Sequence, residues 1–238
     1  MAESFWVATD RDVVRVSGPD ALTYLQGQVS QDLPPMSIGE RRWTFLLQPT
    51  GKVEVLARVT RIAEDEFVFD VDGGYGDALV GRLNRFKIRV KVDVEPLPWR
   101  VLRVVGGDDV IGPDAVPPDG VPEGTSADLE AARIAAGWPA MGAEIVPGET
   151  IPAETGVTPL AVNFRKGCYP GQELVERMDS RGAQAPRTLR VLNVAEGSGP
   201  GDPIVHDGTE VGRLTSVAGT TALGYVKRGV DVGTLPTH

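Results

Sequence analysis

Three strand-like runs in close succession constrain the architecture more than any other feature. Residues 43–47, 53–59 and 66–71 are rich in β-branched and aromatic side chains. The first two are joined by the turn Gln48-Pro49-Thr50-Gly51, and the last two are split by the polar pair Glu64-Asp65. Connections this short join antiparallel neighbours, because a parallel crossover needs a dozen residues or more. The meander ends at Gly73-Gly74. Upstream, Val13-Val14-Arg15-Val16 reads as a strand. Leu22, Leu25, Val29 and Leu33 then recur at helical spacing between Ser17-Gly18-Pro19-Asp20 and the stop Pro34-Pro35. Downstream, Tyr75, Leu79, Leu83 and Phe86 mark one face of a helix. Ile88, Val90, Val92 and Val94 alternate with polar residues, as in a half-buried strand. Sheet, helix and strand in this order predict an antiparallel α+β unit over residues 1–105.

The next stretch breaks the pattern. Residues 106–128 hold six acids, four prolines and no Lys or Arg, which reads as a mostly irregular connection. Residues 129–184 form a second α+β segment, with a helix at 129–136 that ends at Gly137. From residue 185 to 238 short strands are expected at 188–194, 203–206, 210–216 and 222–227, with Asp207-Gly208 as a hairpin turn. That pattern predicts a small C-terminal β-barrel.

Composition excludes several functions. The net charge of −9 argues against a general grip on nucleic acid or an anionic membrane. The charge is uneven, however. Residues 81–103 carry seven cations and two acids, and residues 165–190 carry six cations and three acids. These are either solvated faces or a pocket for a small anion with carboxylates. One cysteine excludes a disulfide framework and a four-thiolate metal site within the chain, and suits a reduced, cytoplasmic protein. The N-terminus lacks the basic and apolar regions of a signal peptide. His206 and His238 are the only histidines and neither is placed to form a Cys–His pair. No glycine pattern forms a phosphate loop, and no stable intrinsic metal site is expected.

Chemistry therefore concentrates at Cys168. Arg165 and Lys166 precede it, and Gly167 and Gly171 flank it. Pro170 suits the first turn of a helix and Arg181-Gly182 its end, which puts the thiol just before a helix N-terminus. Cations and free N–H groups there favour a thiolate, the form that attacks or binds metal. The same residues also suit a buried, inert cysteine that happens to begin a helix. Arg177 and Arg181 lie one helical turn apart, where they can hold anionic groups.

Lys166-Gly167-Cys168-Tyr169-Pro170-Gly171-Gln172-Glu173 resembles the signature K-G-C-Y/F-x-G-Q-E of the YgfZ family, folate-binding relatives of the glycine-cleavage T-protein. The likeness continues through Leu25-Gln26-Gly27-Gln28, Leu46-Leu47-Gln48-Pro49-Thr50-Gly51-Lys52, Arg133-Ile134-Ala135-Ala136-Gly137, Pro152-Ala153-Glu154 and Val211-Gly212-Arg213-Leu214-Thr215-Ser216. It implies T-protein-like α+β subdomains around a central tetrahydrofolate site, plus the C-terminal barrel. It further implies an accessory role in assembling or repairing 4Fe–4S enzymes, and through some of those an indirect link to tRNA modification. The partners implied are a reduced folate and iron–sulfur enzymes or assembly proteins, with no direct nucleic acid and no membrane. Cys168 and Lys166 become the expected reactive pair. Tyr169, Gln172, Glu173, Arg177, Arg181 and Arg133 become the expected folate contacts.

Two departures bear on activity. The aminomethyltransferase places an Asp shortly after its glycine turn, where this chain has Val53-Glu54-Val55-Leu56. Ala135 stands where the family segment has Glu. The first departure, together with the cysteine signature that T-proteins lack, points away from glycine cleavage. A tetrahydrofolate-dependent transferase and a non-catalytic folate-fold binding module remain the alternatives.

Overall fold

The computed structural model describes residues 4–180, 185–234 and 236. Its centre is a five-stranded antiparallel sheet in the order β3-β4-β5-β2-β6, built from β2 (Asp12–Ser17), β3 (Arg41–Leu47), β4 (Val53–Ala63), β5 (Glu66–Val71) and β6 (Asp93–Leu97). The meander is there as expected. One face packs α1 (Ala21–Gln26), α2 (Gly76–Arg85) and the loops near them into the main core, where Phe45, Phe67, Phe69, Leu47, Leu79 and Leu83 are fully buried. Burying each such side chain contributes ~1.5–3 kcal/mol.

Two elements differ from the expectation for residues 1–105. The helical spacing of Leu22 to Leu33 yields only the short α1. At Gly27 the chain turns, and the Gln26 side chain folds the next residues back. Its Nε2 donates to Asp32 Oδ1 at 2.7 Å and its Oε1 accepts from the Leu33 N–H at 3.0 Å. Val29 and Leu33 are buried, but from a loop. Likewise the strand expected from Ile88 starts only at Asp93. Arg89 has φ 57 and Ile88 is largely exposed, so the alternation there marks no strand. Pro96 is tolerated in β6 because that strand is the sheet edge.

A second sheet joins the chain's start to the acidic stretch. β1 (Phe5–Thr9), β7 (Arg100–Val105) and β8 (Val110–Gly112) pair in the order β1-β7-β8. The connection 106–128 is thus not wholly irregular, since it supplies an edge strand. α3 (Ser126–Ala135) follows, with a capping box between Thr125 and Asp128. Next come a 3₁₀ turn (Pro152–Glu154), the short α4 (Thr158–Ala161) and α5 (Gln172–Ser180).

The C-terminal strands fall close to expectation. β9 (Arg187–Asn193), β10 (Pro203–His206), β11 (Thr209–Ala218) and β12 (Thr221–Lys227) form an antiparallel sheet in the order β10-β11-β12-β9 around their own small core. Bulges at Ile204/Val205 and Leu214/Ser216 add the local twist such a curled sheet needs. This is the barrel-like unit, and the whole is the antiparallel α+β class the sequence predicted. No helix among the described residues is long and apolar enough to cross a membrane.

Candidate functional site

The thiol sits on the loop between α4 and α5, and Cys168 is exposed. Its position relative to the helix differs from the expectation. α5 begins at Gln172, so Tyr169, Pro170 and Gly171 intervene, and Cys168 does not cap the helix start. The reason lies in Gly171. Its φ of +83 breaks the helical path, and it packs so tightly that an added Cβ would meet the Gln48 carbonyl oxygen at 2.5 Å and Gly51 Cα at 2.9 Å. Gly51 in turn has φ +84 and leaves 2.4 Å between a hypothetical Cβ and Leu174 Cβ. Two glycine turns, one from the meander and one from the thiol stretch, are docked face to face. Only Gly combines this backbone with this approach.

Lys166 fastens the other side of the loop. Its Nζ donates to the carbonyls of Gln26 at 2.6 Å, Val29 at 2.5 Å and Gln31 at 3.0 Å, and lies 5.2 Å from the centre of the Tyr169 ring. Three acceptors match the three protons of an ammonium. Those carbonyls are available because α1 stops at Gln26. Burial pushes the Lys166 pKa down to about 8, against the pull of Asp32. Lys166 is thus a fastener of the loop on the segment 26–31.

The expected folate contacts separate. Tyr169 is buried in the main core, where burial pushes its phenol up. Gln172 accepts from the Tyr169 N–H at 3.3 Å and donates to Glu176, which secures the start of α5. Glu173 and Arg177 pair with each other on the exposed face of α5. Arg181 lies outside the described residues. Arg133 instead faces a cleft of about 420 Å³ between β1, β7 and α3. There its guanidinium meets Glu130 at 2.7 Å, the Trp138 carbonyl at 2.6 Å, buried Glu144 at 2.9 Å and Ser216 Oγ at 2.8 Å. Glu144 also accepts from Ser216 Oγ at 2.7 Å, and its carbonyl accepts from Tyr225. Arg133 and Glu144 thereby staple the C-terminal sheet to α3.

Sequence reasoning missed the ion-pair cluster that reaches this cleft through Arg11, Asp72 and Arg103. Arg11 reaches Asp70 at 2.7 Å and also pairs with Asp72. Arg58 bridges Asp70 at 2.9 Å and Asp109 at 2.5 Å, and Arg103 reaches Asp109 at 3.0 Å. Burial alone would raise the Asp70 carboxyl, but Arg11 and Arg58 hold it below the usual carboxylate range. Arg58 and Arg11 also lie 5.6 and 6.0 Å from the Trp43 ring, whose centre is 4.4 Å from that of Trp138 at a 47° tilt. One signal was present: Arg58 interrupts an otherwise apolar run in β4, and a cation there must find a buried acid. Asp109 comes from the acidic connection. The basic run 81–103 does not form one anion pocket. Arg82 is buried in the core, donating to the Leu47 carbonyl at 2.9 Å, while Arg103 joins the ion-pair cluster.

The cleft offers an aromatic ring (Trp138), an apolar wall (Leu129, Val105), a carboxylate (Glu130) and guanidinium groups (Arg11, Arg103). Arg11 and Arg103 are already paired with Asp70, Asp72 and Asp109, so the cleft offers an aromatic and apolar wall more than free positive charge. No group of three or more His, Cys, Asp or Glu among the described residues is placed to hold a metal ion.

The fold is that of a glycine-cleavage aminomethyltransferase. It superposes on glycine cleavage system aminomethyltransferase T from Bartonella henselae with a TM-score of 0.75 and 17% identity, covering 99% of this chain and 86% of that one. The resemblance to the YgfZ family is supported by this fold and by sequence likeness along most of the chain. The chain is 26% identical over 271 residues to a mitochondrial iron–sulfur cluster assembly factor IBA57 homolog of Chaetomium globosum, 90% of this chain and 62% of the relative. It is 27% identical over 98 residues to an uncharacterized protein of Haemophilus influenzae, 41% of this chain and 35% of the relative. With a putative chloroplastic transferase of Arabidopsis thaliana it shares 38% over 74 residues, 29% of this chain and 17% of the relative. The chain thus spans less than two thirds of each curated relative. No protein-family model matches it.

Proposed function

We propose that this chain is a folate-binding accessory protein for the assembly or repair of 4Fe–4S enzymes, acting through the Cys168 thiol. The observation that carries the reading is the way the only cysteine is presented: exposed, on a loop fastened by Lys166 on one side and by the Gly51–Gly171 contact on the other. An inert structural cysteine is ordinarily buried. The likeness to an iron–sulfur cluster assembly factor supports the process, and the resemblance of the Lys166–Glu173 signature to the YgfZ family supports the folate. The cleft beside Trp138, Leu129 and Glu130 is where a tetrahydrofolate would lie, with the ring against Trp138. Bound there, the folate would supply one-carbon chemistry or serve as an effector. A lone exposed thiol suits a reducing compartment such as the cytoplasm.

Two measurements test this. In cells lacking the protein, 4Fe–4S enzyme activities should recover with the native chain and fail to recover with Cys168→Ala. Equal rescue by the variant would make the thiol dispensable. Titration with tetrahydrofolate should give saturable binding that Trp138→Ala weakens. Turnover of an aminomethyl donor would favour the transferase alternative, to which the fold is neutral and the missing Asp is adverse.

A further inference from the structure

The Cys168 loop is flanked by a second cavity that neither the thiol nor the folate reading uses. It is an open groove of about 570 Å³ between the 3₁₀ turn, α4 and α5. Pro152, Pro159, Val162, Phe164, Val175 and Met178 are among its lining residues, and among the described residues Thr158 alone of that lining has a polar side chain. Phe164 is 39% exposed although large and apolar. An apolar surface of this kind that stays open to solvent marks an interaction site more often than a solitary exposed residue does.

The groove does not end in apolar surface. Ala153 and Met178 also line an adjoining hollow of about 320 Å³, which contains Arg190 and Arg228. These two cations differ from their neighbour. Arg187, also on β9, has its acid, Glu154, at 3.2 Å, and stacks 4.3 Å from the Tyr225 ring. Arg190 and Arg228 have no ion pair among the described residues, and Arg190 Nε is buried without a hydrogen-bond partner. A buried N–H of a charged group without an acceptor is costly, and native structures rarely leave one unexplained. Among the described residues neither arginine has an acid, so in a chain of net charge −9 this end of the groove presents positive charge that suits an acid from outside.

We propose that this groove docks a short segment of a partner polypeptide: two or three aliphatic side chains in the apolar part, followed by an aspartate or glutamate between Arg190 and Arg228. The segment would run past the Cys168 loop, since Val162 and Phe164 precede that loop and Leu174 and Val175 follow it. The inference needs only the groove and stands whether or not Cys168 reacts.

The test uses the full chain and two acetylated, amidated octapeptides, each with three leucines and, after them, either one aspartate or one asparagine. At low ionic strength the aspartate peptide should bind about tenfold tighter, as expected for one charge-assisted pair. In the double variant Arg190→Gln/Arg228→Gln that preference should vanish while the asparagine peptide binds as before. Phe164→Ser should weaken both peptides several-fold. All three positions are at least partly exposed, and an unchanged thermal midpoint would show that each variant is folded. For the native chain alone, raising salt to ~0.5 M should shrink the preference, because exposed charges are then screened. Equal affinity for the two peptides, binding of neither at millimolar concentration, or a preference that survives removal of both arginines would each overturn the proposal.

Discussion

The thiol loop and the arginine cluster under Trp138 are assembled in opposite ways. The loop is held by main-chain groups: three carbonyls around Lys166 Nζ and the glycine contact between two turns. Its chemically distinctive atom, the Cys168 sulfur, is left out of that scaffold. The cluster is side chain against side chain, and every charge in it is part of the scaffold. Arg11, Arg58 and Arg103 are neutralised by Asp70, Asp72 and Asp109. The difference teaches where tolerance should lie. Removing a member of the cluster strands a buried charge, whereas removing the thiol strands nothing.

The largest effect should therefore follow from Asp70→Asn. It leaves Arg11 and Arg58 without their shared carboxylate, and breaking a buried pair on one side costs ~3–5 kcal/mol. Urea denaturation should show a loss of that size; a loss below ~0.5 kcal/mol would mean that the cluster does not support the fold. The pH dependence sharpens the test. The folded-state pKa of Asp70 lies below its unfolded value of about 3.9. Its contribution is fully present above the unfolded value and is lost as pH falls through the folded one. The native protein should thus lose stability in acid more steeply than Asp70→Asn does.

Next in size is Gly171→Ala. The left-handed backbone costs ~1–2 kcal/mol for a residue with a Cβ, and contact with the Gln48 carbonyl at 2.5 Å adds to it. Gly74→Ala is the matched control, because Gly74 has φ +86 but nothing within 4 Å of an added Cβ. The two variants should differ by ~1 kcal/mol or more in urea midpoints converted to free energy. Equal losses would show that backbone conformation alone, and not the docking of the two turns, sets the requirement for glycine.

The same contrast explains what could be read in advance. The thiol loop is encoded in eight consecutive residues, and local residues control turns, so the glycine-flanked turn that carries Cys168 was visible. The meander and the four C-terminal strands were legible because period-2 alternation and tight turns are local too. The fastening role of Lys166 was not, because its acceptors are carbonyls set free where α1 stops at Gln26, and helical spacing predicts no such stop. The cluster was hidden for a deeper reason. Arg11, Arg58, Asp70 and Asp109 come from loops and strands that only tertiary pairing brings together, and Asp109 lies in a stretch whose composition reads as connection. The basic runs misled in the same way: charge counted along a sequence does not say whether a cation faces solvent, an aspartate or a carbonyl.

A smaller loss is expected at Lys166→Met, which keeps the apolar stem and removes the ammonium. The carbonyls of Gln26, Val29 and Gln31 lose their shared donor, and the cost should be ~1–2 kcal/mol because partial exposure lets water replace it. The informative readout is local. Amide exchange should quicken in the segment 26–31 and in the Cys168 loop while the five-stranded sheet stays protected. Uniform quickening would mean that Lys166 supports the whole core and not this one junction.

The smallest effect on stability should come from the residue with the largest proposed effect on function. Cys168→Ser replaces an exposed thiol by an exposed hydroxyl, without changing the backbone, the Lys166 contacts or the glycine docking. Stability should stay within ~0.5 kcal/mol of the native chain, and the thermal midpoint should barely move. If the midpoint holds and rescue of 4Fe–4S enzymes fails, the scaffold and the reactive atom are separable, as the main-chain construction of the loop implies. A fall in stability comparable to that of Lys166→Met would instead place the sulfur within the packing that holds the loop, and the contrast with the arginine cluster would collapse.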